Sequence, residues 1–177
     1  MKNSLCLLIF SILSLIVSAQ TQTDLLDGFK NFKIGGDFSK LKDSCVQNIP
    51  SDPNSIWKYN GKCCQTIAER KVTYIEFSIK DNKIETIYVT VLLHTSLENV
   101  HQDKWAPEWQ TMCQYFASYL GEPDTDKNYD TEDATITMVG WAGKKANMYC
   151  AYNYLGLLKG DFIQIIFTSP SSGTKDF

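Results

Sequence analysis

The stretch that decides the fold is VTYIEFSIKDNKIETIYVTVLL, residues 72–93. Both of its arms are rich in β-branched and aromatic residues, and these residue types favour extended strands. The polar triplet Asp81-Asn82-Lys83 separates the two arms, and Asp and Asn tolerate the backbone conformations that a tight turn needs. The sequence therefore predicts one long β-hairpin at the centre of the fold.

The register of this hairpin decides which side chains share a face. With a two-residue loop Ile79 would lie opposite Ile84, and Phe77 would then meet the polar Thr86. A loop of three or five residues instead sorts the apolar positions onto one face, and burial should select that register. The core face then consists of Ile75, Phe77, Ile79, Ile87, Val89, Val91 and Leu93. The opposite face consists of Tyr74, Glu76, Ser78, Thr86, Tyr88 and Thr90.

The N-terminus has the pattern of a secretory signal peptide. Lys2 precedes a nearly all-apolar run over residues 5–17, and two small residues follow that run. The run is too short to favour a membrane-spanning helix. We therefore predict a signal peptide over residues 1–19, a single domain over residues 20–169 and a flexible tail over residues 170–177. The protein is expected to be secreted or periplasmic, with no membrane span after cleavage.

The charge of the chain argues against nucleic acid as a partner. The formal net charge is −3, with 17 Lys and Arg residues against 20 Asp and Glu residues. The basic residues form no cluster, and binding to nucleic acid or to an anionic membrane depends on such clusters. Neither of these is therefore expected as the main partner.

Two short helices are predicted from the spacing of apolar residues. Asp37 is placed as the N-cap of the first helix. The apolar face of that helix would consist of Phe38, Leu41 and Cys45. Pro107 and Gly121 are placed at the start and just past the end of the second helix, where these residue types are favoured. Its core-facing stripe would consist of Trp109, Met112, Cys113, Phe116 and Leu120.

Three further strands are predicted over residues 134–141, 146–155 and 161–168, after a polar loop over residues 124–133. The short connections between these strands imply antiparallel neighbours. Together with the hairpin and the two helices they predict an α+β domain, in which the helices pack on one face of an antiparallel sheet.

Two parts of the chain share a faint pattern. Each carries a predicted helix with one cysteine, a loop with proline and a Trp before a Gly-Lys turn, as at Trp57 and Trp141. With the segment Leu120-Gly121-Glu122-Pro123, this pattern resembles the β-lactamase-inhibitor-protein type of fold, which small bacterial envelope proteins of the SmpA/OmlA group share. The resemblance implies a degenerate tandem helix-plus-strands repeat. It also implies a non-enzymatic module that binds or inhibits another protein through an aromatic-rich sheet face.

The resemblance also implies a set of disulfides. The cysteines that follow the predicted cleavage site are Cys45, Cys63, Cys64, Cys113 and Cys150. An oxidising compartment favours pairing of such cysteines. If each helix is linked to its own sheet, Cys45 pairs with either Cys63 or Cys64. Cys113 then pairs with Cys150, and one thiol is left over.

The predicted register gives a candidate binding face. Tyr74 and Tyr88 point away from the core of the hairpin, and Trp141 and Tyr149 would extend the same face on later strands. Tyr and Trp carry large contact areas and are enriched at interface hot spots. The alternative is that the tail or a helix of the same chain covers this face.

The alternative function is a small secreted hydrolase or thiol enzyme. Cys64 would be its nucleophile and His94 its base, since a thiol nucleophile needs a base within hydrogen-bond reach. No local catalytic signature accompanies either residue. Non-enzymatic binding is therefore the preferred function, and no cofactor is expected.

The strongest candidate for a metal-binding site is the polar loop before the last three predicted strands. Its alternating oxygen ligands are Asp124, Asp126, Asn128 and Asp130. Calcium binds oxygen ligands of this kind. The pattern departs from a calcium-binding EF-hand loop because Tyr129 stands where the turn glycine belongs. A solvated acidic loop is therefore predicted, with weak calcium binding as the alternative.

Overall fold

The structure, a computed structural model, describes residues 26–50, 52, 55–94, 107–131, 134–155 and 160–170. The predicted signal peptide and nearly all of the predicted tail lie outside these ranges. None of the helices within them has the length and apolar character needed to span a membrane.

One large antiparallel sheet dominates the fold. The strands in chain order are β1 (Gly28–Phe29), β2 (Phe32–Lys33), β3 (Cys45–Gln47), β4 (Trp57–Tyr59), β5 (Thr66–Ile67), β6 (Arg70–Lys71), β7 (Tyr74–Lys80), β8 (Lys83–His94), β9 (Thr125–Asp130), β10 (Thr135–Trp141), β11 (Asn147–Tyr154) and β12 (Asp161–Thr168). Eight of them form the large sheet in the order β3-β4-β7-β8-β12-β11-β10-β9. The first half of the sheet is therefore β3, β4, β7 and β8, and the second half is β9 to β12. The pairing of β8 with β12 joins the two halves.

The central hairpin forms strands β7 and β8, but its loop differs from the prediction. Asp81-Asn82 is a two-residue turn with φ values of 50° and 59°. Ile79 pairs with Ile84, as such a loop requires. The next pair is Ser78 with Thr86, so one extra residue forms a β-bulge in β8. The bulge restores the sorting of side chains by face. The predicted faces are thus confirmed, although the predicted loop length was wrong.

The helix predicted in the second part of the chain is confirmed as α1 (Pro107–Leu120), which packs on the core face of the second half. Its buried residues are Trp109, Met112 and Phe116. The indole N–H of Trp109 donates a hydrogen bond of 3.2 Å to the carbonyl oxygen of Cys150. The ring of Phe116 lies edge-on to the ring of Trp141, with centroids 6.0 Å apart.

The prediction of an α+β domain with two helices on the sheet was wrong. The residues predicted as the first helix form two short 3-10 helices, Phe38–Lys40 and Lys42–Ser44, and Cys45 then begins β3. Asp37 does act as an N-cap, because its Oδ1 accepts a hydrogen bond of 3.0 Å from the Ser39 amide. An apolar stripe of three residues stabilises little helix, and its last residue, Cys45, pairs with Tyr59 of β4 instead. The described chain is therefore mostly β, with a single α-helix.

Aromatic side chains from the N-terminal segment cover the core face of the first half. Phe32, on the small β1–β2 hairpin, lies edge-on to Phe77 with ring centroids 5.1 Å apart. Phe38, on the first 3-10 helix, lies edge-on to Trp57 at 5.0 Å. These contacts cover the core face of the first half, where the structure has no α-helix among the described residues.

Replacing Phe116 with Ala should lower the free energy of unfolding by about 3–5 kcal/mol, because the ring is fully buried and its loss leaves a cavity between α1 and the sheet. Gln114→Ala is the matched control, since Gln114 is exposed on the same helix, and its effect should stay within about 0.5 kcal/mol. Urea unfolding followed by circular dichroism measures both changes. Equal effects of the two substitutions would contradict the packing of α1 on the sheet.

Candidate functional site

The face of the large sheet opposite α1 is the candidate site, and we call it the open face. Among the described residues, no helix or strand packs on it; its apolar side chains contact one another. Side chains of successive residues alternate between the core face and the open face. Paired positions therefore form rows across the strands of the open face. One such row consists of Thr90, Gln164, Ala151 and Met138, on β8, β12, β11 and β10.

A groove of about 330 Å³ lies on the open face of the second half. Its apolar lining consists of Tyr129, Ile136, Met138, Ala151 and Ile166. Its polar lining consists of two amide side chains, Asn153 and Gln164. Ala151 is the shortest of these side chains and has longer ones on both sides in its row, so it forms the floor of the depression. The groove is thus largely apolar, and none of its lining side chains is charged. The amide groups of Asn153 and Gln164 are its hydrogen-bonding groups.

The groove belongs to an apolar cluster that is separate from the main core. The buried members of this cluster are Met138, Tyr149, Ala151 and Ile166. The partly buried members are Tyr88, Tyr129 and Ile136. The buried members are at most 5% exposed, and they pack against the partly buried members. The groove, with the partly buried Tyr129 and Ile136 in its lining, is the accessible part of this cluster and marks a candidate interaction site.

The position of Tyr149 depends on a glycine in the neighbouring strand. Gly140 pairs with Tyr149 across β10 and β11. A Cβ atom at position 140 would lie 2.5 Å from Cδ1 of the Tyr149 ring, which is closer than carbon atoms can approach without displacement. The ring therefore lies directly on the glycine backbone, beside the groove.

Three of the four predicted binding residues lie on the open face. They are Tyr74, Tyr88 and Tyr149. Trp141 lies on the core face instead, because it pairs with Met148, the neighbour of Tyr149. It is 3% exposed, and its indole N–H donates a hydrogen bond of 2.8 Å to the Gly121 carbonyl. Trp141 therefore supports the packing of α1 and cannot contribute to the open face.

Tyr74 and Tyr88 lie on the first half of the open face, outside the lining of the groove. The Lys58 Nζ atom lies 3.9 Å from the centroid of the Tyr74 ring, a cation–π contact. Burial raises the pKa of the Tyr88 hydroxyl above its ordinary value, so this phenol stays neutral at physiological pH. Tyr88 pairs with Ile166 and so connects the tyrosine pair with the apolar cluster.

Sequence reasoning missed the residues that line the groove. A strand with one buried face alternates between apolar and polar residues, whereas β10, β11 and β12 are apolar at consecutive positions. Such runs indicate strands that are buried on both faces. That signal was present in the sequence, and it pointed to a second apolar surface behind the core.

The calcium candidate lies on an extended strand and not in a loop. Asp126, Asn128 and Asp130 are exposed along one side of β9. Alternate residues on a strand are about 6.7 Å apart and their side chains run parallel, so they do not converge as calcium ligands must. Asp124 is engaged elsewhere, because its Oδ2 accepts a hydrogen bond of 2.7 Å from the Ala142 amide. Within the described ranges, no group of three or more His, Cys, Asp or Glu side chains could hold a metal ion.

The five described cysteines are present as thiols. The thiols of Cys113 and Cys150 are hydrogen-bonded to each other, and burial raises the pKa of Cys150 well above its ordinary value. The sulfur atoms of Cys63 and Cys64 are 2.7 Å apart. Cys45 lies on β3 at the edge of the sheet. The disulfides from Cys45 and between Cys113 and Cys150 stay predictions.

The alternative thiol enzyme has no activated nucleophile at Cys64. Burial, together with the hydrogen bond between Cys63 and Cys64, raises the pKa of the Cys64 thiol to about 11. Because the thiolate is the nucleophilic form, the Cys64 thiol is not activated in the way that a catalytic cysteine is. The side chain of the expected base, His94, lies outside the described part of the structure.

A comparison of the chain with protein-family models, curated proteins and solved structures finds no match.

Replacing Gly140 with Ala should lower the free energy of unfolding by about 1–3 kcal/mol, because the new methyl group overlaps the Tyr149 ring. In a Tyr149→Ala background the same change should cost less than about 0.5 kcal/mol, since the overlapping ring is gone. Urea unfolding of the four proteins in this double-mutant cycle measures the difference. An equal cost in both backgrounds would show that the ring does not rest on position 140.

Proposed function

We propose that the chain is a secreted or periplasmic, non-enzymatic module that binds another protein through the groove of its open face, as a binding or inhibitory domain. The observation that carries the proposal is the apolar cluster around Ala151, which lies on the far side of the sheet from the core. Within the described ranges the single α-helix packs on the other face of the sheet, which supports the use of this second apolar face in binding.

The chemistry of the groove suits an inserted apolar side chain of a protein partner. Met138, Ile136 and Ile166 provide apolar contact area. Asn153 and Gln164 each carry both a donor and an acceptor, so they match the main-chain amide groups that accompany such a side chain. A small apolar pocket with a few placed polar groups is typical of binding sites.

Charged residues lie towards both margins of the open face. Lys127 pairs with Met138 and lies on the same face, at the outer strand. Lys58 and Glu76 occupy paired positions on the first half of the face. An apolar centre with charged residues at its margin is the usual anatomy of a protein interface.

Replacing Ala151 with Leu should weaken partner binding at least tenfold, about 1.4 kcal/mol, because the larger side chain fills the floor of the groove. Ala142→Leu is the matched control, since Ala142 is exposed in the loop after β10 and outside the groove. The immobilised chain and both variants are exposed to the medium and envelope proteins of the producing cell, and retained proteins are quantified by mass spectrometry.

The proposal requires at least one protein that the original chain and the Ala142→Leu variant retain equally and that the Ala151→Leu variant loses. If every retained protein binds all three chains alike, or if none is retained, the groove is not a protein-binding site. Thermal unfolding of the variants is recorded in parallel, and Met138→Lys provides a second groove variant if Ala151→Leu fails to fold.

A further inference from the structure

Two neighbouring cysteines lie in the turn between β4 and β5. The Sγ atoms of Cys63 and Cys64 are 2.7 Å apart, which is only about 0.7 Å longer than a disulfide bond. Both side chains are partly exposed. The pair lies outside the groove and takes no part in the function proposed above.

An aromatic side chain holds the first of these thiols in place. The Tyr59 hydroxyl lies 3.3 Å from the Cys63 Sγ atom. The Tyr59 ring is itself fixed edge-on to the buried Phe32, with centroids 5.0 Å apart. A Cβ atom at position 61 would collide with the Tyr59 hydroxyl, so the tyrosine reaches Cys63 only because Gly61 lies between them. The position of the Cys63 sulfur is thus set by the core of the first half.

The backbone of the second cysteine turns its side chain towards the first. Cys64 has a φ of 65°, in the left-handed region that residues with a Cβ atom rarely adopt. Such a conformation persists only where the surrounding structure holds it. The contact between the two sulfur atoms is therefore a property of the folded turn.

The two thiols differ in their access to small molecules. Cys63 lines a cleft of about 310 Å³, together with polar side chains that include Gln65, Lys71 and Thr73. Cys64 is not part of that lining. Burial raises the pKa of the Cys64 thiol to about 11. Cys63 is therefore the thiol that a reagent in the cleft meets first.

We propose that Cys63 and Cys64 form a dithiol site that reacts with a small-molecule disulfide admitted by the cleft, and that the product is a disulfide between these two neighbouring residues.

The reaction is a pair of thiol–disulfide exchanges. The Cys63 thiol loses its proton to solvent, and its sulfur attacks one sulfur of the small disulfide. A mixed disulfide forms at Cys63, and the other half of the reagent leaves as a thiolate that takes up a proton. The Cys64 thiol then loses its proton and attacks the Cys63 sulfur, which expels the second half of the reagent. The protein dithiol is oxidised by two electrons, and one small disulfide is reduced to two thiols.

The bond formed in this way is expected to open again easily. Neighbouring Cα atoms across a trans peptide are about 3.8 Å apart, whereas disulfides usually join Cα atoms about 4.4–6.8 Å apart. A disulfide between neighbours is therefore strained, and strained disulfides are the labile ones. The site would respond reversibly to the thiol–disulfide balance around the protein.

This pairing differs from the one expected from the sequence, in which Cys45 bonds to Cys63 or to Cys64. With the neighbours bonded to each other, Cys45 becomes the remaining free thiol. The predicted bond between Cys113 and Cys150 is unaffected, because Cys113 lies on α1 and Cys150 on β11, outside the turn between β4 and β5.

The test is to treat the reduced, full chain with oxidised glutathione and to digest it with trypsin without reduction. Cleavage after Lys62 and after Arg70 isolates both cysteines in the single peptide CCQTIAER. The expected product is this peptide alone, lighter by two hydrogens and without glutathione. A peptide joined to the segment that carries Cys45, a peptide with two bound glutathiones or an unreacted peptide would each overturn the proposal.

Three variants test the order of the two thiol–disulfide exchanges. Cys64→Ser should trap one glutathione on Cys63, because the second exchange is blocked. Cys63→Ser is the matched control and should react at least tenfold more slowly, since Cys64 does not line the cleft. Cys45→Ser should form the same lighter peptide as the original chain. Equal reaction of Cys63→Ser and Cys64→Ser, or loss of the lighter peptide in Cys45→Ser, would contradict the assignment.

Discussion

One extra residue in β8 keeps the apolar side chains of the central hairpin on a single face of the sheet. Glu85 is the residue left over between the pair Ile79–Ile84 and the pair Ser78–Thr86. Without this bulge the tight turn would impose a register in which apolar and polar residues mix on both faces. The core, α1 and the open face all depend on the sorted register, because β12 and the remaining strands are aligned through β8.

The sequence predicted helices and strands best where the apolar residues of a single long segment follow a regular spacing. Helix α1 and strands β7, β8, β10, β11 and β12 follow from apolar spacing within single segments, and the structure has them at nearly the expected residues. β3 and β9 were not found, because each is held by a neighbour along its edge and has little apolar patterning of its own. The first expected helix also depended on little apolar patterning: its residues form two short 3-10 helices, and the last of them, Cys45, pairs with Tyr59 of β4 instead.

Only part of the candidate site could be predicted from the sequence. Alternation along the hairpin correctly places Tyr74 and Tyr88 on the face away from the core. The groove requires knowledge of which residues meet across β9 to β12, and Ala151 becomes its floor only because Met138 and Gln164 lie on either side. Trp141 was misplaced because a shift of one residue along a strand moves a side chain to the other face.

The pairing of β8 with β12 also governs how the chain assembles during synthesis. Thr86 and Thr168 meet across this joint although they lie 82 positions apart. Closing so large a loop costs chain entropy and slows folding. As the chain leaves the ribosome, β8 emerges together with its partner β7 but long before β12, so the backbone groups of β8 that later pair with β12 have no strand partner in the interval. The nascent protein therefore passes through a stage in which half of the sheet has a long unpaired edge strand, and an edge of this kind is prone to aggregation.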